Sequence, residues 1–132
     1  FSTTSLEIMS MNEPWPQIVD RFEQCGGNSA CTQAMRALSK RIANSTLACG
    51  LFAWTSMFDL CIAQTAVTYP YDGPYLRVSP LPTGQIEFRY LDTHELANQW
   101  HRTVEPEEAV SRLLKFLDQL RWFPPEALRD DL

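Results

Sequence analysis

The chain of 132 residues is long enough for one domain with a single core, and it carries a formal net charge of −5. Hydrophobic residues make up 45% and charged residues 20%, as in ordinary globular proteins, and no apolar stretch is long enough to span a bilayer. The acidic balance argues against general binding to nucleic acid or anionic lipid. We therefore predict one soluble, acidic domain over residues 1–132, with a flexible start (1–12) and a tail (124–132).

Two helices are predicted in the N-terminal part of the chain. Pro14 suits the first turn of a helix, and apolar residues follow at helical spacing up to the glycine pair at 26–27. Asn28 or Ser29 is a good N-cap for a second helix that runs to about Ala43 and carries one apolar stripe. The two helices should form a hairpin around the glycine pair.

An aromatic and apolar run follows from Leu47 to Val67, too continuous for a surface strand. It favours two central strands joined near Ser56 to Asp59, and a buried helix is the alternative. Asp59 is then a turn residue at the tip of this hairpin rather than a functional buried carboxylate. The prolines and the Asp-Gly pair of 69–74 predict a loop.

The segments 75–79 and 85–90 alternate strictly between apolar and polar residues, which is typical of strands with one buried face. A turn at 82–84 should join them into a hairpin. The charged side chains predicted on the opposite, solvated face are Arg77, Glu87 and Arg89.

One more strand is expected between Asn98 and Val104, and Pro106 opens a last amphipathic helix that Pro124 and Pro125 stop. Together these elements predict an α+β fold. It consists of an N-terminal helical hairpin, a mainly antiparallel sheet of about four to five strands, and a C-terminal amphipathic helix packed on the sheet.

The sequence contains no motif typical of a phosphate loop, a serine nucleophile or a zinc protease, so we predict a protein that is not an enzyme and needs no cofactor. The chain has two histidines. Of these, His101 is the one to consider as a general base, with Asp92 or Glu95. A strand histidine more often only donates a hydrogen bond.

The four cysteines are Cys25, Cys31, Cys49 and Cys61. Reduced thiols are the favoured interpretation, while an exported protein could instead pair Cys25 with Cys31 and Cys49 with Cys61. A zinc site at the first pair would need two more soft ligands, which His94 and His101 could supply only from far along the chain. We therefore predict no metal site.

The C-terminal part resembles the strands and closing helix of small bacterial immunity proteins, which neutralise polymorphic or contact-dependent toxins. The resemblance is carried by four segments: PYLRVSP from Pro74, EFRY from Glu87, QWHRT from Gln99, and the helix LLKFLDQLRW from Leu113. A tryptophan-histidine pair in the last strand, followed by a helix with a Phe-Leu-Asp element, is the clearest likeness. The N-terminal helices show no such match.

This resemblance implies a cytoplasmic inhibitor that binds a cognate toxin or effector domain, and an acidic binder suits a toxin with a basic surface. The predicted partner-binding residues are Tyr71, Asp72, Glu87, Asp92, Glu95 and Trp122, exposed acids and aromatics that no core requires. One alternative function is a small enzyme or ligand-binding domain with a pocket near His101, Arg102 and Asp92. Another is the exported, disulfide-bonded domain.

Overall fold

A computed structural model of the chain describes residues 12–24, 29–65, 73–92 and 94–123. Its helices are α1 (Trp15–Gln24), α2 (Ala30–Ala43) and α3 (Ala109–Gln119), and its strands are β1 (Phe52–Ser56), β2 (Asp59–Ala63), β3 (Tyr75–Pro80), β4 (Ile86–Leu91) and β5 (Trp100–Val104). Single 3₁₀ turns cover Thr46–Cys49, Leu96–Asn98 and Pro106–Glu108. The α+β prediction is confirmed. The glycine turn at 26–27, most of the 69–74 loop and the two chain ends lie outside the described residues.

The predicted helical pair is present, with a side-chain cap at the start of its second helix and polar contacts between the two helices. Ser29 Oγ accepts a hydrogen bond from the backbone N–H of Thr32 at 3.2 Å, so Ser29 is the N-cap of α2. The guanidinium Nε of Arg36 in α2 donates to the carbonyl of Phe22 in α1 at 3.0 Å. The side chains of Lys40 and Glu23 form an ion pair at 2.6 Å on the solvent side of the same contact. Polar contacts therefore fix the two helices along their apolar seam.

The five strands form one antiparallel sheet in the order β1-β2-β3-β4-β5, so each strand pairs with its neighbour in sequence. The prediction of strands rather than a buried helix between 47 and 67 is confirmed for β1 and β2. However, β1 is an edge strand, not a central one, and its free edge is partly occupied because the N–H of Glu13 donates to the carbonyl of Ala53 at 2.8 Å. Asp59 begins β2 opposite Ser56 instead of lying at the tip of the turn.

The strict alternation of β3 and β4 has the predicted result. Leu76, Val78, Ile86 and Phe88 are fully buried on one face of the sheet, which is the face that the helices cover. Gly84 adopts a φ of +93° in the turn between the two strands, a conformation that glycine reaches without steric cost. Binary patterning was therefore sufficient to assign the inner face of this hairpin.

The main core lies between that inner face and the three helices. Phe88 at the centre of β4 packs against Phe116 of α3 with ring centroids 5.0 Å apart. The α1 helix joins the same core through Ile18, which is fully buried, and through Trp15, whose indole Nε1 donates to the carbonyl of Leu51 at 3.1 Å. The inner face of the sheet is thus covered by elements from both ends of the sequence.

The last helix ends earlier than the prolines at 124–125 suggested. The N–H groups of Arg121 and Trp122 donate to the carbonyls of Asp118 and Leu117, at 3.0 and 3.2 Å, and Arg121 has a φ of +62°. This is a Schellman turn, which ends a helix and reverses the chain. The residue after it, Phe123, lies so close to Gly50 that a Cβ there would be 2.8 Å from the Phe123 ring.

We expect Phe88→Ala to lower the free energy of unfolding by about 3–5 kcal/mol, because it removes a fully buried ring from the contact between sheet and α3. Denaturant unfolding followed by circular dichroism measures this change. Leu96→Ala serves as the control, since Leu96 is exposed and its truncation should change stability by less than about 0.5 kcal/mol. Equal stabilities for the two variants would contradict this description of the core.

Candidate partner-binding surface

The predicted contact residues fall into different surroundings in the structure. Tyr71 and Asp72 lie outside the described residues. Glu95 is exposed, as predicted, whereas Glu87 is only partly exposed on the outer face of β4. Asp92 and Trp122 are not free surface residues, and each has a structural role that the sequence did not indicate.

Asp92 is 8% exposed and organises the connection between β4 and β5. Its Oδ1 accepts hydrogen bonds from the backbone N–H groups of His94 at 3.1 Å and Glu95 at 3.0 Å, and its own N–H donates to Gln99 Oε1. An aspartate that accepts from the following backbone in this way stabilises a turn. The expectation that Asp92 is exposed is therefore wrong, and its contact with a partner stays a prediction.

Trp122 is partly buried and packs against the main core, because the Schellman turn after α3 directs the chain back toward the sheet. Its carbonyl oxygen accepts a hydrogen bond from Gln64 Nε2 at 3.5 Å. The expectation that no core requires Trp122 is wrong. The sequence signal that could have shown this is the aromatic pair at 122–123 directly after an apolar helix face.

A shallow depression of about 370 Å³ lies beside the β4–β5 connection. It is lined by Arg89, Tyr90, Leu91, Leu96, Gln99, Trp100 and His101. Tyr90 and Trp100 are stacked, with ring centroids 6.0 Å apart, and Leu96 at the rim is 67% exposed. We call this region, residues 89–91 and 96–101, the β4–β5 corner. It combines aromatic walls with an apolar side chain in solvent and the exposed Glu95 next to it.

The corner does not assemble the predicted pocket chemistry of His101, Arg102 and Asp92. The carboxylate of Asp92 is used within its own loop, as described above. Arg102 places its guanidinium over the Trp100 ring at 5.6 Å and donates to the carbonyl of His101 at 2.8 Å. His101 is exposed on the edge strand, and within the described part of the chain neither Asp92 nor Glu95 is hydrogen-bonded to its imidazole. A general base oriented by a carboxylate is therefore not formed here.

Charged residues on the outer face of the sheet form a network instead of a simple solvated face. Asp59 Oδ2 lies 2.6 Å from the Nε atom of Arg77 and 3.9 Å from the Nη2 atom of Arg89. The side chains of Asp59 and Arg77 are about one-fifth exposed. Arg89 Nε also lies 3.4 Å from Glu87 Oε1, without hydrogen-bond geometry. Burial opposes the charged form of Arg77, but the hydrogen bond to Asp59 and the neighbouring groups outweigh it and raise the pKa of Arg77.

The β1–β2 hairpin exposes two apolar residues that the sequence analysis did not single out. Met57 is 91% and Phe58 is 64% exposed, and these two residues form the whole loop between Ser56 and Asp59. Met57 has a φ of +57°, although it is not a glycine. The sequence signal was present: a two-residue hairpin loop normally contains glycine, asparagine or aspartate, and this loop has none.

Cys61 lies on the outer face of β2, fully buried in a small cluster with Trp54 and Ala63. Burial raises the pKa of its thiol to about 11, because the thiolate would lose its hydration, and Arg77 opposes this only in part. The thiols of Cys31, Cys49 and Cys61 are free, so the pairing of Cys49 with Cys61 is absent in this structure. Cys25 lies outside the described residues.

We expect the thiols to react in two classes when the folded protein is treated with iodoacetamide at pH 8. The exposed Cys49 should be alkylated at the rate of a free thiol. Cys61 should react at least about 100-fold more slowly, because its thiol is buried and pH 8 is about three units below its raised pKa. Peptide mass spectrometry at timed intervals measures both rates. Unfolding in guanidinium is the control and should make the rates equal. Fast labelling of native Cys61 would contradict its described position.

The raised pKa of Cys61 also makes the free energy of unfolding depend on pH. The unfolded chain, with an ordinary thiol pKa near 9, releases this proton before the folded chain does. This contribution to stability is therefore complete below pH 9 and is lost as the pH rises toward 11.

Among the described residues, no group of three or more His, Cys, Asp or Glu side chains is placed to hold a metal ion. In the same part of the chain, each helix is too short or too polar to cross a bilayer. Comparisons with protein-family models, with curated proteins and with solved structures found no match to this chain.

Proposed function

We propose that this protein acts without catalysis by binding another protein, and that the partner is a cognate bacterial toxin or effector domain which it neutralises in the cytoplasm. The observation that supports this best is the β4–β5 corner. There, the fold leaves Leu96 in solvent beside the stacked rings of Tyr90 and Trp100. The resemblance of the C-terminal segments to immunity proteins supplies the class of partner.

The chemistry of the corner suits a protein interface. Aromatic residues provide large contact areas with few rotatable bonds, and they are enriched where interfaces gain most of their binding energy. Leu96 is 67% exposed, so covering its side chain would contribute about 1–2 kcal/mol from apolar burial. The depression is open and shallow, so it fits a protruding side chain of a partner better than an enclosed small substrate.

The charge distribution favours a basic partner. The chain carries 16 acidic and 11 basic residues, and the exposed Glu95 directly precedes Leu96 in sequence. Opposite charge on the partner speeds association and orients the encounter. A toxin that acts on nucleic acid carries such a basic surface and is compatible with this charge, while the class of partner comes from the resemblance.

The first expected outcome is a stable complex between this protein and the protein encoded by the gene next to its own. Isothermal titration calorimetry should give saturable binding, and gel filtration should show one peak containing both chains. Coexpression should restore growth of cells that produce the toxin domain. Absence of both complex and rescue would reject the proposed function.

Leu96→Ser should weaken this complex at least about tenfold, because it removes apolar area from the rim of the β4–β5 corner without touching the core. The matched control is Lys115→Ser, an exposed substitution on α3 outside the corner. Titration calorimetry of both variants, with circular dichroism to check folding, gives the comparison. Equal losses in the two variants would place the interface elsewhere.

A further inference from the structure

We infer that the tip of the β1–β2 hairpin, Met57 and Phe58, is a second contact that inserts into an apolar cleft on the partner protein. This inference rests on the proposed function, since the partner is the same toxin or effector domain. It concerns a different corner of the sheet, and it can fail while the proposed function stands.

The first support is exposure. Among the described residues, the large hydrophobic side chains that remain well exposed are Met57, Phe58 and Leu96. Two of these three are adjacent and form the whole tip of one hairpin. Isolated apolar side chains are common on protein surfaces, but a contiguous apolar protrusion marks an interaction site.

The second support is the backbone conformation at Met57. Its φ of +57° lies in the left-handed region, which costs a residue with a Cβ more than it costs glycine. A two-residue loop with positive φ at its first position is the loop type in which glycine is preferred there. Folding alone therefore does not explain a methionine at this position, whereas contact with a partner does.

The third support is that the chain on both sides of the tip is held in place. Glu13 Oε2 accepts hydrogen bonds from the N–H of Thr55 at 3.3 Å and from its hydroxyl at 3.2 Å. On the other side, Asp59 is fixed by Arg77 at 2.6 Å. A tip that is already ordered loses little conformational freedom when it binds, so more of the contact free energy appears as affinity.

The charges around the tip favour a cleft on another protein as its binding partner, over a lipid surface or a second copy of this chain. Among the described residues, the arginines around the hairpin are paired, Arg21 with Glu13 at 2.9 Å, and Arg77 and Arg89 with Asp59 at 2.6 and 3.9 Å. Binding to anionic lipid relies on free cations, which these described arginines do not supply. A second copy of this chain is disfavoured because each copy carries a net charge of −5. An uncharged, apolar cleft on a different protein fits both observations.

The tip and the β4–β5 corner lie at diagonally opposite corners of the sheet. The tip follows β1 at one edge, and the corner precedes β5 at the other edge, at the opposite end of the strands. Four strand spacings separate the two edges, roughly 19 Å. A substitution at one corner therefore tests that corner by itself.

The test is titration calorimetry of the neighbouring gene's toxin domain against wild type and the single variants Met57→Gly and Phe58→Ser. Glycine suits the positive φ, so Met57→Gly should unfold at a temperature equal to or above that of wild type. Both variants should nevertheless bind at least about tenfold more weakly. The control is Thr83→Ser in the β3–β4 turn at the same end of the sheet, which keeps the hydroxyl that contacts Gln85 and should bind like wild type.

The other outcomes are distinguishable. Tip variants that bind like wild type, while Leu96→Ser binds weakly, overturn the tip contact and leave the proposed function intact. A wild-type protein that fails to bind the toxin domain overturns both. Two further measurements identify the competing occupants: flotation with vesicles of phosphatidylcholine and phosphatidylglycerol, and sedimentation of the protein alone. Vesicle binding that disappears in Met57→Gly would show that the tip binds lipid instead of a protein cleft. Self-association that disappears in Met57→Gly would show that the tip binds a second copy of this chain.

Discussion

The structure depends on the packing of one face of an antiparallel sheet against three helices. Because each strand pairs with its neighbour in sequence, residues that face the helices lie in rows across the sheet, such as Ile62, Leu76 and Tyr90. A slip of one residue in any strand would turn its apolar side chains to the other face. The same register therefore fixes the core, the outer face and both corners.

The strand register also determines which side chains are neighbours on the outer face of the sheet. Beside the buried thiol of Cys61 it puts Arg77 and then Arg89 in one row, so two like charges are neighbours across β3 and β4. Asp59 lies within ion-pair distance of both and offsets their repulsion. Partly buried ion pairs gain little net stability over apolar residues of similar size, but an unpaired buried arginine would be costly. The carboxylate is thus required by the arginines.

The sequence was sufficient to predict those elements whose structure follows from a local pattern of residues. The alternation in β3 and β4 and the cap at Ser29 required only local rules, and the structure has them as predicted. Asp92 and Trp122 were misjudged because their burial depends on the conformation of the turns in which they lie, which composition alone does not encode. The prediction for Asp59 failed for a related reason. Its position in the turn was off by one residue, and its arginine partner lies 18 residues away in sequence.

The two exposed apolar corners also differ in how they could have been found. Leu96 lies in a polar connection, where a single leucine is unremarkable, and it becomes informative only beside Tyr90 and Trp100. Met57 and Phe58 break a local rule of turn chemistry in a fold that otherwise keeps such rules, as at Gly84. Departures of this kind concentrate at functional sites, because selection keeps a locally unfavourable residue only when something else depends on it. The hydrogen-bonded sheet connects the two corners, so under our proposal a partner that binds both would require little further ordering of this chain.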